Sequence, residues 1–102
     1  MRVISYNPIR DFSARHPDAR GPLDRWFEKV ENAHWDSIRD VRLLFAHADA
    51  VVVASGRTAV VFNIGGNKYR LIAAIHYDRR RVFLLKIMTH SEYNDSSWKD
   101  GL

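Results

Sequence analysis

Basic, imidazole and phenol side chains interrupt the apolar segments in the C-terminal half of this sequence. Arg70 and Lys86 stand inside two successive apolar runs, and His90 and Tyr93 follow the second run closely. Histidine exchanges protons near neutral pH, tyrosine donates hydrogen bonds or stacks, and cations stabilise charge that develops on phosphate. This set suits metal-free cleavage of RNA, in which a 2′-hydroxyl attacks the adjacent phosphate. The four residues are therefore the catalytic candidates, with Arg70 as the stabiliser of phosphate charge and His90 or Tyr93 as proton carrier or stacking group.

Two neighbouring strands must position these side chains. In a strand over residues 69–77, alternation puts Arg70 on the face opposite Leu71. In the next strand, over residues 82–88, alternation gives one face formed by Val82, Leu84, Lys86, Met88 and, just beyond it, His90. Arg70 can meet Lys86 and His90 only if these two faces lie on the same side of the sheet.

The turn Asp78–Arg81 decides whether the faces coincide, because one residue more or less reverses the side to which a strand points its side chains. We favour a loop of three or five residues over one of even length. One sheet face must receive helices, and unpaired cations would be costly there. Two other interpretations of Arg70 stay open: an edge residue that reaches solvent, or the partner of an Asp or Glu.

Two polar turns supply candidate RNA contacts. The Gly65-Gly66 pair lies between two strands, so it indicates a tight turn and not a phosphate loop, which would open a helix. Asn67 and Lys68 follow the glycines and could bind RNA at the rim of the site. Arg79, Arg80 and Arg81 fit a solvated turn, or contacts to phosphates that steer binding without reading sequence.

The helix signals all precede the strand signals. We expect a short edge strand over residues 1–5 and a helix from Pro8 to about His16 that Asn7 caps. A second helix is expected from a cap at Asp18 to Ala33, although its start could be as late as Pro22. A third helix is expected from about Asp36. An amphipathic stripe in the second helix is formed by Leu23, Trp26, Phe27 and Val30. Strands follow over residues 50–54, 58–63, 69–77 and 82–88, with one helical turn around residues 91–94. This order predicts an α+β domain, an antiparallel sheet with N-terminal helices packed on one face.

Composition sets the limits on function. The 102 residues suit one domain spanning residues 1–102. A net charge of +4 fits an anionic partner or plain solubility equally well. The chain has no cysteine, which fits the cytoplasm and excludes thiolate chemistry, and it shows neither a secretory signal nor a membrane-spanning apolar stretch. Five scattered histidines lack the spacing of a metal site, so we expect no metal and no cofactor.

Two motifs carry a family resemblance. The pattern F-N-x-G-G-N-x-x-R runs from Phe62 to Arg70, and M-T-H-x-x-Y runs from Met88 to Tyr93. Together they resemble the HigB toxins of bacterial type II toxin–antitoxin modules, which share the wider RelE/ParE-like fold. The resemblance extends over most of the chain, including His16-Pro17.

The resemblance implies an mRNA endonuclease that acts on translating ribosomes and is neutralised by a helix-turn-helix, HigA-like antitoxin. Asn67, Arg70, His90 and Tyr93 match the motif positions, and Arg70 and Tyr93 inherit an active-site role most directly. The same fold also hosts ParE-like gyrase poisons, so a non-nuclease toxin or an RNA-binding module is the alternative. A third possibility is a non-catalytic subunit of a complex, in which the basic face of this chain only binds an acidic antitoxin.

Overall fold

The computed structural model describes residues 1–102 as four helices on a five-stranded sheet. The helices are α1 (Asn7–Arg15), α2 (Arg20–Glu31), α3 (Ile38–Leu44) and α4 (His90–Asn94), and the strands are β1 (Arg2–Ile4), β2 (Asp49–Val52), β3 (Thr58–Ile64), β4 (Tyr69–His76) and β5 (Arg81–Thr89). The strand order is β1-β5-β4-β3-β2. The α+β class and the helix-covered antiparallel sheet are thus confirmed, with one addition: edge strand β1 runs parallel to β5. None of the helices has the length and apolarity needed to cross a membrane.

The apolar stripe of α2 forms the core with one face of the sheet. Leu23 and Val30 are fully buried, and Trp26 meets the ring of Phe62 from β3 edge-to-face at 5.3 Å between centroids. From β4, Leu71 and Ala73 point into the same cluster. The periodicity prediction for this helix is therefore confirmed, apart from Phe27, which is only half-buried.

The other face of the sheet is covered by the end of the chain. After α4, a 3₁₀ segment over Ser96–Gly101 brings Trp98 onto Ile72 and Met88, where the indole is 5% exposed. The backbone N–H of Ala54 donates to the carbonyl of Lys99 at 3.0 Å and pins this tail beside β2. A polar tail therefore supplies cover for part of the open face.

Three expected helix boundaries are wrong. Asn7 lies inside the first turn of α1 and caps nothing with its side chain. Asp18 lies in a short 3₁₀ turn, Pro17–Ala19, and α2 begins two residues later without a side-chain cap. Pro22 is tolerated at the third position because the first N–H groups of a helix have no intrahelical acceptor. The third helix begins at Ile38, two residues after the expected start at Asp36.

The expected loop of three or five residues between the last two strands is also wrong. His76 pairs directly with Arg81, which leaves a four-residue turn. This turn alone would place Arg70 opposite Ile87, but a β-bulge beside Ile72 and Ala73 shifts the register by one. Arg70 then lies opposite Met88, as the parity argument required.

The same bulge divides the face predicted for the last strand. Leu84 pairs with Ala73 and Val82 pairs with Ile75, so both belong to the helix-covered side. Lys86 instead pairs with Ile72 on the open side. The prediction that Val82, Leu84 and Lys86 share a face is therefore wrong, because regular alternation does not continue through a bulge.

Candidate active site

Arg70 is a buried cation without a carboxylate partner. Its side chain is 7% exposed, and it takes part in none of the five ion pairs of the molecule. Nη1 donates to the carbonyls of Asn67 and Tyr69, both at 3.1 Å, and Nη2 contacts Nδ1 of His90 at 3.0 Å. Both open alternatives for this residue are excluded, since it neither reaches out from an edge nor pairs with an acid. A buried guanidinium held only by neutral acceptors is suited to an anion from outside.

His90 is positioned by the start of α4. A capping box precedes it: Thr89 Oγ1 accepts from the Glu92 N–H at 3.2 Å, and the Glu92 carboxylate accepts from the Thr89 N–H at 3.0 Å. The N–H of His90 donates to the carbonyl of Lys68 at 2.9 Å. The bond from the Thr89 N–H is the largest cause that lowers the pKa of Glu92, with smaller contributions from Lys86 and His16. Glu92 is thus held as a carboxylate that fixes the helix start.

The contact with Arg70 determines which nitrogen of His90 carries the proton. A guanidinium only donates, so Nδ1 of His90 accepts, and the proton of the neutral ring lies on Nε2. The side chain is exposed. His90 therefore presents an N–H donor to solvent beside Arg70.

Tyr93 completes the cage around the guanidinium. The carbon centre of the Arg70 guanidinium lies 5.2 Å from the centroid of the Tyr93 ring, a cation–π distance. The ring also stacks on Trp98 at 5.5 Å and 24°, and Trp98 Nε1 donates to the Tyr93 carbonyl at 3.1 Å. The structure thus brings three of the four catalytic candidates, Arg70, His90 and Tyr93, into direct contact.

Lys86 and Asn67 lie around this trio without joining it. Lys86 is exposed on the open face, two pairs further along the sheet from the pair formed by Arg70 and Met88. The Asn67 side chain accepts from Asn63 Nδ2 at 3.4 Å, while its carbonyl holds Arg70. The glycines before it, with φ of +62° and +70°, form the expected turn.

The arginines of the other turn lie at the far end of the sheet. Arg81 pairs with His76, six positions along β4 from Arg70, or about 20 Å at the usual rise of a strand. Arg80 donates to the Asp36 carboxylate and the Trp35 carbonyl, each at 2.8 Å, from a backbone with φ of +58°. Arg79, Arg80 and Arg81 are therefore not part of this site, and Arg80 holds the loop before α3.

Lys68 belongs to a network that ties the connector between α1 and α2 to β4. The Asp18 carboxylate accepts from Tyr69 Oη at 2.6 Å and from Lys68 Nζ at 3.2 Å. The bond from Tyr69, and then that from Lys68, lowers the pKa of Asp18, while the same carboxylate raises the pKa of Tyr69. Lys68 is thus a paired cation, and Asp18, expected to be a helix cap, is its partner.

We predict that Asp18→Asn destabilises the protein at neutral pH and not in acid. A carboxyl group with a lowered folded-state pKa stabilises the fold above its unfolded-state pKa, and this contribution is lost as pH falls through the folded-state value. The difference in urea midpoint between wild type and variant should therefore shrink as pH falls to about 3. An equal difference at both pH values would show that the Asp18 charge has no stabilising role.

An open groove joins this network to α4. Its lining residues are His16, Asp18, Lys68, Tyr69, Thr89, His90 and Ser91. His16 was missed as a chemical group from the sequence, because it reaches the site only through the 3₁₀ turn after α1. The sequence did point to this residue through His16-Pro17, which is part of the family resemblance. No group of three His, Asp or Glu side chains comes together in a way that could hold a metal.

Comparison with known proteins agrees with the fold and the motifs. The family model of the HigB toxin, a RelE-like toxic component of a toxin–antitoxin system, matches residues 19–96. The mRNA interferase toxin HigB of Escherichia coli strain K12 is 21% identical over 94 residues, which cover 92% of this chain and 88% of that protein. The mRNA interferase HigB of Escherichia coli O6:H1 strain CFT073 is 24% identical over 94 residues, with 92% and 89% covered. The resemblance in the two motifs is thus confirmed, and the chain belongs to the HigB family of RelE-like toxins.

Proposed function

We propose that this toxin is an endoribonuclease that cuts mRNA and thereby stops translation. The observation that carries the proposal is Arg70, a buried guanidinium without a carboxylate partner beside an outward N–H of His90. The relatives named mRNA interferase support the same substrate. The single domain of residues 1–102 would contain the whole active site.

The reaction needs the 2′-hydroxyl of one nucleotide to displace the 5′-oxygen of the next. Arg70 and the Nε2–H of His90 would donate to the non-bridging oxygens of the scissile phosphate, where negative charge grows in the transition state. Tyr93 would keep the guanidinium in place through its ring face, supported by Trp98. Lys86, on the open face, would attract the RNA backbone, with Asn67 and Lys68 at the rim. These side chains supply charge stabilisation without a metal or cofactor.

The ribosome would present the RNA. The groove is open, and Tyr69 is the single Phe, Tyr or Trp in its lining, so it offers no pair of such rings to grip successive bases. Positioning a strand for in-line attack is worth several kcal/mol of barrier, so a second body that holds the mRNA would supply what the groove lacks. We therefore expect cleavage of mRNA on translating ribosomes to be faster than cleavage of the same RNA free in solution.

Membership of a toxin–antitoxin family gives the chain an antitoxin as partner. We propose that this antitoxin is a HigA-like helix-turn-helix protein, as the motif resemblance implied. A short neighbouring gene that encodes such a protein, and copurification of its product with this chain, would support the assignment. Copurification with an antitoxin of another class would contradict it.

The test is addition of the protein to a translating extract that contains a reporter mRNA. Primer extension should reveal cut sites in the coding region with wild type and none with Arg70→Ala. A gyrase poison of the same fold would leave the mRNA intact and stall replication instead. An RNA-binding module or a mere docking partner would retain RNA or antitoxin without cut products, and either outcome would contradict the proposal.

A further inference from the structure

The proposed nuclease reaction still lacks a base for the 2′-hydroxyl. His90 cannot take that role while Arg70 donates to its Nδ1, because its outward nitrogen already carries the proton. The ring of Tyr93 is occupied by Arg70 and Trp98, Lys68 is paired with Asp18, and Lys86 lies two pairs along the sheet from Arg70. A second imidazole in the groove is therefore a better candidate for the base than any of these side chains.

His16 has the required chemistry and position. It ends α1, and its ring stacks on Phe12 at 4.5 Å and 25°, which fixes the plane of the imidazole. Tyr69 approaches it from the sheet at 5.5 Å between ring centroids. Neither ring nitrogen forms a hydrogen bond with the protein, although the side chain is half-buried and lines the same groove as His90. It is thus an oriented imidazole with a free lone pair.

The connector that carries His16 is anchored to the sheet. The Asp18 network joins it to Lys68 and Tyr69, at the start of the strand that carries Arg70. Across the groove, Glu92 is close enough for His16 to contribute to the lowered pKa of that carboxyl. The ionisable groups around His16 are Arg15 on its own helix, Asp18 in the connector, Lys68 and Tyr69 on the sheet side, and His90 and Glu92 on α4.

We propose that His16 is the general base of the reaction; this inference rests on the proposed endoribonuclease function. The proton of the 2′-hydroxyl passes to neutral His16 while the 2′-oxygen forms a bond to phosphorus. The bond between phosphorus and the 5′-oxygen breaks, and the departing oxygen takes a proton from water of the open groove. His16 returns its own proton to solvent, and the products carry a 2′,3′-cyclic phosphate and a 5′-hydroxyl.

The first test compares His16→Asn with a matched variant, His47→Asn, whose imidazole is exposed outside the groove. On ribosomes programmed with a short mRNA, the single-turnover rate of His16→Asn should fall on the order of 10²-fold. The wild-type rate should decline in acid, and this decline should be smaller in His16→Asn. His47→Asn should match wild type in both respects. Added imidazole should restore part of the rate of His16→Ala, which a purely structural role of His16 would not allow.

A second test separates base from acid. In an RNA with sulfur in place of the 5′-bridging oxygen, the leaving group departs without protonation, so only a base is still needed. His16→Asn should remain slow on this substrate, whereas recovery to the wild-type rate would assign His16 as the acid and overturn the proposal. If wild type cuts no mRNA, the proposed function fails; if wild type cuts and His16→Asn cuts equally fast with the same pH dependence, only this inference fails.

Discussion

Arg70→Ala is expected to lower the rate of mRNA cleavage on the order of 10³-fold without unfolding the protein. In the proposed mechanism the guanidinium binds the phosphate, and it is held by two backbone carbonyls, His90 and the ring of Tyr93. No ion pair is lost with it, because no carboxylate contacts it. Removing a buried cation that has no counter-charge also relieves a desolvation penalty, so the urea midpoint should change little. Single-turnover cleavage and urea unfolding of the same preparation test both parts.

Two variants control for charge and for shape. Arg39→Ala removes an equal charge from an exposed position on α3 and should leave cleavage unchanged. Arg70→Lys keeps the charge but not the planar fork, so it should recover only part of the lost rate. An Arg70→Ala protein that is folded and cuts at the wild-type rate would remove Arg70 from the mechanism.

Trp26→Ala is expected to lower the free energy of unfolding by about 3–5 kcal/mol, a large part of the stability of a small domain. Trp26 is 2% exposed and joins α2 to β3 through Phe62. Alanine would leave a cavity between the helix layer and the strand that leads into the turn before Arg70. Denaturant unfolding measures the loss, and cleavage should fall only to the extent that the protein is unfolded.

Trp26→Phe serves as the comparison. The indole Nε1 is buried and has no hydrogen-bond partner. Phenylalanine removes this unsatisfied donor, which offsets part of the lost contact area. The free energy of unfolding should therefore fall by much less than in Trp26→Ala. Equal losses in both variants would show that the volume at this position does not determine the stability.

Periodicity was sufficient to predict the elements and the faces of this fold as far as regular geometry holds. The stripe Leu23, Trp26 and Val30 and the alternation around Arg70 follow from the pitch of a helix and the pleat of a strand. The register of β5 did not follow, because a four-residue turn and a bulge each shift the pairing by one and their effects cancel near Arg70. Neither the turn length nor the bulge can be recognised from the apolar pattern of the sequence.

The parts of the candidate site that depend on long-range contacts were the least predictable. Asp18 looks like a helix cap in the sequence, yet its partners lie 50 and 51 residues later. The tail after Tyr93 looks polar, yet Trp98 covers the open face of the sheet. Arg79–Arg81 stay predicted phosphate contacts by composition, but the length of β4 places them about 20 Å from Arg70, which the sequence pattern alone did not reveal.

The most direct test of the account is the chemistry of the cut ends. Reporter mRNA cleaved in a translating extract, stopped in time and then analysed for end groups, should carry a 2′,3′-cyclic phosphate upstream of the cut and a 5′-hydroxyl downstream. Purified toxin acting on isolated programmed ribosomes should give the same ends. It should still do so after free divalent ions are chelated, as far as the ribosomes stay intact. A 3′-hydroxyl paired with a 5′-phosphate would mean that water, and not the 2′-hydroxyl, attacks the phosphate. That result would contradict the mechanism built on Arg70, His90 and His16.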